Sequence, residues 1–512
     1  MTYSFNLIDQ PWIPCVRADG QVSELSLYET LSQAHELRGL QGDSPLETAA
    51  LYRLLLAILH SALRGPASRA EWATLWQAGQ WDTHRLQAYL QQWRHRFDLF
   101  DSRRPFYQAA DARVKPKSTI TLVMDMASGN NAALFDHHTE NVGAALTPAQ
   151  AVRSVLVAQA FGLAGLSGLE QKFTDAPWAR GIIFLVEDEN LFETLALNLL
   201  QYADDKPLPA QDGDAPAWEM DEPYWPDRAT PLGYLDYLTW QNRRILLIPE
   251  GDPGQPVVRQ MTMAPGLRLS AATLDPMKHY RIDEERGNLV LRFSEGRMLW
   301  RDSSALFRVL SVKNYRPPEN ITWLSLLAYH GAVEGHRSYR CMALGMANDQ
   351  AKIEFFRQEH LPLPLDYLER DELVGELSDA LALAEKIRSR LWGATNNLAK
   401  FIISPSADQQ NVRQPDSKDL QKLIDHWGVE RLYWSALELP FFEFLQALPA
   451  DPAALTRWKE AVRKAAWKAL ESAERLAGES VNALKGAVRA RGILGAALKQ
   501  WLPESQSEEV QV

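Results

Sequence analysis

From Tyr367 onward the apolar residues recur every three to four positions over stretches too long for strands: 367–399, 415–428, 431–447 and 452–501, the last interrupted near Gly478. Helices of that kind, joined by short connections, bury their apolar stripes against one another, so the pattern predicts a four-helix bundle over 367–502. The remaining residues, 503–512, hold three glutamates and no basic residue, and read as an acidic tail.

Ahead of the bundle the pattern is mixed. Ser44-Pro45 opens a run with Leu51, Leu54, Leu55, Ile58 and Leu59 apolar and Gly65-Pro66 as its stop, which predicts a core helix. Ser68-x-x-Glu71 and Thr147-Pro148-x-Gln150 are capping boxes and predict helices near 69–79 and 148–161. Gly181–Val186, Arg244–Ile248 and Leu289–Phe293 are rich in β-branched residues and predict strands, while six prolines between 207 and 231 make 204–233 a long surface connection. The fold class expected is therefore α+β: a large mixed N-terminal domain over 1–366, then the bundle.

Charge and cysteine content narrow the function. The 54 basic residues stand against 65 acidic ones, a net of −11, so a polyanion must meet a local basic patch. One such patch is in the last helical segment, where residues 453–500 hold ten basic and four acidic residues. That face either tracks a phosphate backbone or balances neighbouring acidic helices. Two cysteines, Cys15 and Cys341, cannot form a four-thiolate zinc site, and no basic apolar leader or membrane-length apolar run stands out, so a reduced, cytoplasmic setting without a membrane is expected.

The motifs of the common hydrolases and nucleotide-binding folds are missing: no glycine loop with a lysine, no Gly-x-Ser-x-Gly, no His-Glu-x-x-His, no Cys-x-x-Cys. Asp136-His137-His138 has metal-binding residue types and is otherwise a polar loop. The segment around it, 126–141, is rich in turn residues but carries Leu134 and Phe135, an apolar pair either tucked inward or presented to a base or partner. Phe161-Gly-Leu-Ala-Gly-Leu-Ser-Gly168 follows the 148–161 helix; its glycines form a plain cap and turn or an edge that a ligand backbone can approach closely. Gly345–Ala351 is small and polar between apolar segments, as in a tight hairpin.

Taken in order, these stretches resemble the CasA family, the large subunits of the type I-E CRISPR surveillance complex called Cascade. The resemblance begins at Phe5–Pro14 and continues through the Asn130-Asn131 loop, the 162–168 glycine loop, Tyr234–Gln241, Asn348–Ala351 and the helical C-terminus. It implies a subunit without catalytic activity or cofactor that binds the guide RNA 5′ handle and reads the protospacer-adjacent motif (PAM) of double-stranded target DNA through the minor groove. The implied partners are the backbone, small and handle-binding subunits of the complex and, after R-loop formation, the helicase-nuclease.

Residue by residue, the resemblance implies a glycine loop of Gly162, Gly165 and Gly168, and a wedge at Gln350 flanked by Asn348, Asp349 and Ala351. The handle loop is Asn130, Asn131, Leu134, Phe135 and Asp136. The minor-groove basic finger is Arg268, with Arg259 second; backbone contacts fall to Arg457, Arg463, Lys464, Lys468, Lys485, Arg489 and Arg491. Two departures stand out. The cysteine pairs that some relatives carry are missing, so no metal is expected, and Asp349 stands where the family often has asparagine. An ionised carboxylate there donates no hydrogen bond and repels phosphate. The competing readings are a metal-dependent nuclease centred on Asp136, His137 and His138, and a purely structural scaffold.

Overall fold

A computed structural model describes residues 3–124, 145–310, 314–334, 338–349, 352–404 and 415–502. It divides into two compact units, Met1–Leu299 with Val309–Leu368, and Trp300–Arg308 with Glu369–Val512. The second unit thus takes in nine residues from well upstream of the helical pattern.

In the first unit, strands β1 (Ile13–Arg17), β2 (Val22–Leu25) and β3 (Leu37–Leu40) form a small antiparallel sheet with β1 central. Helix α1 (Pro45–Leu63) follows; Ser44 accepts the Glu47 N–H at 3.2 Å and Pro45 presets its first turn. It has the length and apolarity of a membrane span, yet is buried throughout within the unit. Helix α2 (Pro148–Phe161) opens on a reciprocal capping box between Thr147 and Gln150. Arg153 on α2, 5% exposed, reaches Glu24 at 2.6 Å and Glu47 at 2.7 Å and donates to the Trp12 carbonyl. It therefore ties the first sheet to both helices.

Two further antiparallel sheets carry the surface of interest. Strand β4 (Ile183–Glu187) flanks a hairpin of β7 (Ser338–Asp349) and β8 (Lys352–Pro364), while β5 (Arg243–Asp252) and β6 (Gln255–Pro265) form a second hairpin edged by Lys117–Ser118. The β7–β8 register runs from Ser338 opposite Pro364 to Asp349 opposite Lys352, with a bulge between Ala347 and Asn348. Strand β4 pairs only with residues 340–344 of β7, so the distal part of the hairpin projects beyond its sheet.

The expected helices at 69–79 and 148–161 are found at Arg69–Ala78 and α2. Two expectations need correction. The Leu289–Phe293 strand shrinks to Gly287–Val290, because Leu291 instead bonds Ile182 and His279 outside the regular ladder. The 204–233 connection has no helix or strand but is not wholly a surface loop. Trp218 (4% exposed) stacks among Phe97, Phe106 and Tyr107, because its large apolar rings gain more from burial than the prolines take away.

The second unit is a bundle of four long helices, α3 (Asp371–Ile403), α5 (Val429–Ala447), α6 (Ala454–Ala477) and α7 (Val481–Trp501), with the short α4 (Ser417–Trp427) beside them. The fold is thus α+β with a C-terminal four-helix bundle. Trp300, 2% exposed, stacks on Phe441 at 4.6 Å and meets Trp434 and Trp458 edge-on, which explains why 300–308 belongs to this unit. Gly486 lets α7 approach α3: a Cβ there would stand 3.0 Å from Leu398 Cδ1 and 3.1 Å from Phe401 Cβ.

Candidate nucleic-acid interface

Helix α2 runs straight into the glycine loop. The chain leaves at Gly162, turns around Ser167 and returns so that Gly165 and Phe173 exchange two backbone hydrogen bonds of 3.2 and 3.0 Å. Its base is fixed by the Ala176 N–H donating to Gly162 O and the Trp178 N–H to Ala160 O, both 2.7 Å. Beneath it lies Arg243, the first residue of β5, buried and donating to the Leu163 carbonyl at 2.8 Å and the Thr174 carbonyl at 2.9 Å. Its guanidinium also faces the Phe173 ring at 4.7 Å. Burial lowers the Arg243 pKa to about 10, with Asp175 opposing, so the group stays charged at neutral pH. Asp175 in turn accepts the Ala164 N–H at 2.8 Å and pairs with Arg180. The loop is a braced platform.

Each glycine is there for a different reason. A Cβ on Gly162 would stand 2.6 Å from Ala158 O and 2.8 Å from Arg243 Nη2, so internal packing excludes a side chain. Gly168 sits at φ +79°, which disfavours any residue with a Cβ. Gly165 has nothing within 4 Å of where its Cβ would be, lies outside the left-handed region, and is followed by Leu166 at 84% exposure. Nothing within the described chain requires glycine at 165.

The Arg268 loop shares this support. Leu267 N–H bonds Gln241 O and Gly266 N–H bonds Asn242 O, each at 2.9 Å, while Gln171 of the glycine loop reaches Gly266 O at 3.4 Å. Arg268 follows directly; it is exposed and makes no hydrogen bond or ion pair among the described residues. Arg259, the second choice from sequence, is paired with Glu250 at 3.0 Å. The structure thus gathers the glycine loop and Arg268 over Gln241–Arg243. Sequence reasoning missed Arg243; its signal was a charged pair, Arg243-Arg244, opening an apolar strand run.

Asn348 and Asp349 end β7 and Lys352 begins β8, with Asp349 and Lys352 both exposed at the hairpin's end. Phe356 of β8 lines a small cavity of about 110 Å³ together with Gln150, Ser154 and Val157 of α2. Gln350 and Ala351 lie outside the described residues, as do Asn130, Asn131, Leu134, Phe135, Asp136, His137 and His138.

In the bundle, ion pairs occupy Arg457 (Asp451, 2.7 Å), Arg463 and Lys464 (both Glu460), and Arg491 (Glu474, 2.7 Å). Arg489 lies over the Phe401 ring at 4.9 Å, whereas Lys468 and Lys485 are exposed and unpaired among the described residues. Both thiols are buried, with pKa values raised to about 11 for Cys15 and about 12 for Cys341 by that burial. Among the described residues no cluster of three or more His, Cys, Asp or Glu could hold a metal.

The profile of the family CRISPR-associated protein Cse1 matches residues 6–469. The chain belongs to the Cse1 family. A CasA/Cse1 protein of Thermus thermophilus is 38% identical over 492 residues, 94% of either chain. The crystal structure of Thermus thermophilus CasA superposes with a TM-score of 0.81 at 33% identity, covering 97% of this chain and 99% of that one. Thermobifida fusca Cse1 gives 0.82 at 28%, covering 98% of each. A chain of a CRISPR RNA-guided surveillance complex has the same fold at 23% identity, with a TM-score of 0.78 over 96% of this chain and 100% of that one. The Cse1 likeness runs through both units, so platform and bundle belong to one family architecture.

Proposed function

We propose that this chain is the non-catalytic large subunit of a type I-E CRISPR surveillance complex, and that it recognises the PAM of duplex DNA through the minor groove. In this reading Gly165 marks where the DNA backbone or groove wall comes closest, and Arg268 supplies a charge unclaimed among the described residues. The single observation that carries it is Gly165 itself, a glycine that no described neighbour requires, on a braced loop beside an arginine with no partner among the described residues. The minor groove offers a degenerate code, so small residues that fit its width and a few polar contacts give relaxed recognition. A short motif suffices where guide pairing reads the rest of the target.

The hairpin tip at Asn348–Ala351 then starts duplex opening, with Gln350 as the wedge, at a cost of roughly a few kcal/mol per unstacked step. The 130–136 loop holds the guide RNA handle, and Lys468 and Lys485 with Arg489 steer the backbone of the captured DNA. The other subunits of the complex and the helicase-nuclease are the partners of this reading, and the relatives named CasA/Cse1 and the surveillance-complex chain of the same fold support it.

The test is capture of duplex DNA by a guide-RNA complex assembled with and without this chain, on targets whose flanking trinucleotide is matched or scrambled. Capture that needs both the chain and the flank is expected, and Gln350→Ala should weaken it while assembly stays intact. Capture indifferent to the flank would remove the reading.

A further inference from the structure

Successive strand residues point to opposite faces, so Arg244 faces away from the glycine loop that Arg243 supports. On that other side it joins Arg96, Arg103 and Arg104 around a cleft of about 280 Å³, where the carboxylates are Asp221 and Glu222. Asp101 Oδ1 accepts the backbone N–H groups of Arg103 and Arg104 at 2.9 and 2.7 Å, which fixes the tandem arginines in a turn. Arg244 is braced over the Tyr224 ring at 4.1 Å.

The charge balance here is incomplete. One oxygen of Asp221, Oδ1, takes both Arg96 Nη2 at 2.8 Å and Arg104 Nη1 at 2.7 Å, although the side chain is 82% exposed. These contacts, with Arg104 the larger influence, hold the Asp221 carboxyl below the usual carboxylate range. Arg96 Nε is buried with no partner, and neither Arg103 nor Arg244 has an ion pair among the described residues. Four guanidinium groups therefore line a cleft in which, among the described residues, the one carboxylate ion-paired to them is Asp221, through Oδ1.

We propose that this cleft binds phosphate groups of a nucleic-acid strand, on the face of β5 opposite the glycine loop, with Asp221 as an internal competitor for the same arginines. Guanidinium forks suit phosphate, whose several oxygens can take Arg96, Arg104 and Arg103 together. The cleft holds more than one carboxylate's volume. The aromatic rings of the cleft are buried, so the contact reads charge and not base identity. The site does not depend on the PAM reading.

The experiment titrates the full chain with inorganic pyrophosphate and with an eight-nucleotide single strand, as RNA and as DNA, over a salt series. Arg103→Ala should weaken oligonucleotide binding about three- to tenfold and lower the salt slope by about one. Asp221→Asn, an exposed change that frees Arg96 and Arg104, should tighten it several-fold. RNA and DNA responding alike locates the contact on the phosphodiester, and a preference for one names the strand. Oligonucleotide affinity unmoved by both variants overturns the proposal, and so does an effect confined to pyrophosphate. Flank-dependent duplex capture should survive Arg103→Ala, which separates failure here from failure of the PAM reading.

Discussion

Gly162 and Gly165 are three residues apart in one loop, yet substitution with alanine should have opposite consequences. At Gly162 the new methyl would sit 2.6 Å from Ala158 O and 2.8 Å from Arg243 Nη2. The first neighbour is helix backbone, and the second is a buried guanidinium already committed to two carbonyls, so neither can give way easily. Overpacking of this kind costs about 1–3 kcal/mol. At Gly165 the methyl meets nothing within 4 Å and the backbone is outside the left-handed region, so folding should be unharmed. Loss of unfolded-state freedom there stabilises by about 0.4–1 kcal/mol. Urea unfolding followed by tryptophan fluorescence gives the first quantity, and capture of a flank-matched duplex by the assembled complex gives the second. Gly162→Ala should lower the urea midpoint. Gly165→Ala should keep or raise the midpoint and weaken capture at least tenfold, about 1.4 kcal/mol. Normal capture by a well-folded Gly165→Ala would refute the argument that an external approach explains the glycine. A large fall in its midpoint would refute the reading of open space.

Other expectations can be checked separately. Arg268→Ala should weaken duplex binding across sequences and lower the salt slope by about one, while Arg259→Ala, which removes a charge already paired with Glu250, should change it little. Asp349→Asn should strengthen duplex capture and alter the accepted flank, since it removes a carboxylate from the exposed hairpin end; unchanged flank profiles would count against a tip in contact with DNA. His60 is buried against Gly65 O, and burial lowers its pKa to about 3 from 6.5. The unfolded chain therefore binds the extra proton first as pH falls, so stability should be level above about 6.5 and decline below it by up to about 1.4 kcal/mol per pH unit, a slope that His60→Gln should reduce. Trp300→Ala should destabilise the helical unit by about 3–5 kcal/mol, seen as loss of helical circular dichroism at lower urea.

The helices were legible because their signals are local. Ser44-Pro45 and the Thr147–Gln150 box act within one turn, and the α3–α7 stripes repeat often enough to outweigh any single residue. The two long hairpins were legible only in part: Arg244–Ile248 read as a strand and Gly345–Ala351 as a turn, but the full strand lengths did not. The 352–364 strand mixes burial classes along its length, whereas residues 341–347 of the 338–349 strand are buried throughout, so neither shows a clean in-and-out pattern. Two-residue alternation is blurred under those conditions. The membership of Trp300–Arg308 in the bundle unit is invisible for another reason: it rests on Trp300 meeting Phe441, Trp434 and Trp458, more than 130 residues later. At the site, the glycine spacing pointed to the loop, but only the built Cβ positions separate the glycine the fold needs from the one it does not. Arg243 was hidden because a buried arginine and an exposed one look the same in sequence.

The hairpin's geometry sets what a wedge at its tip could do. Beyond its pairing with β4, strand β7 continues from Gly345 to Asp349, which at the rise of a strand is about 13 Å of two-stranded ribbon. An isolated ribbon of that kind is marginally stable and bends easily. Here its root is stiffened. A Cβ on Gly345 would stand 3.0 Å from Gly181 O, so the strand lies directly against the chain entering β4, and Arg357 on the partner strand donates to the carbonyls of Ser294 and Arg297 at 3.1 Å. Phe356, one register step further, lines a small cavity with residues of α2, the helix that carries the glycine loop. Bracing at the root is what a wedge at the tip would require in order to transmit a few kcal/mol of unstacking work. The bulge at Ala347/Asn348 falls between the root and the tip, where added twist can aim the last residues without disturbing the paired base.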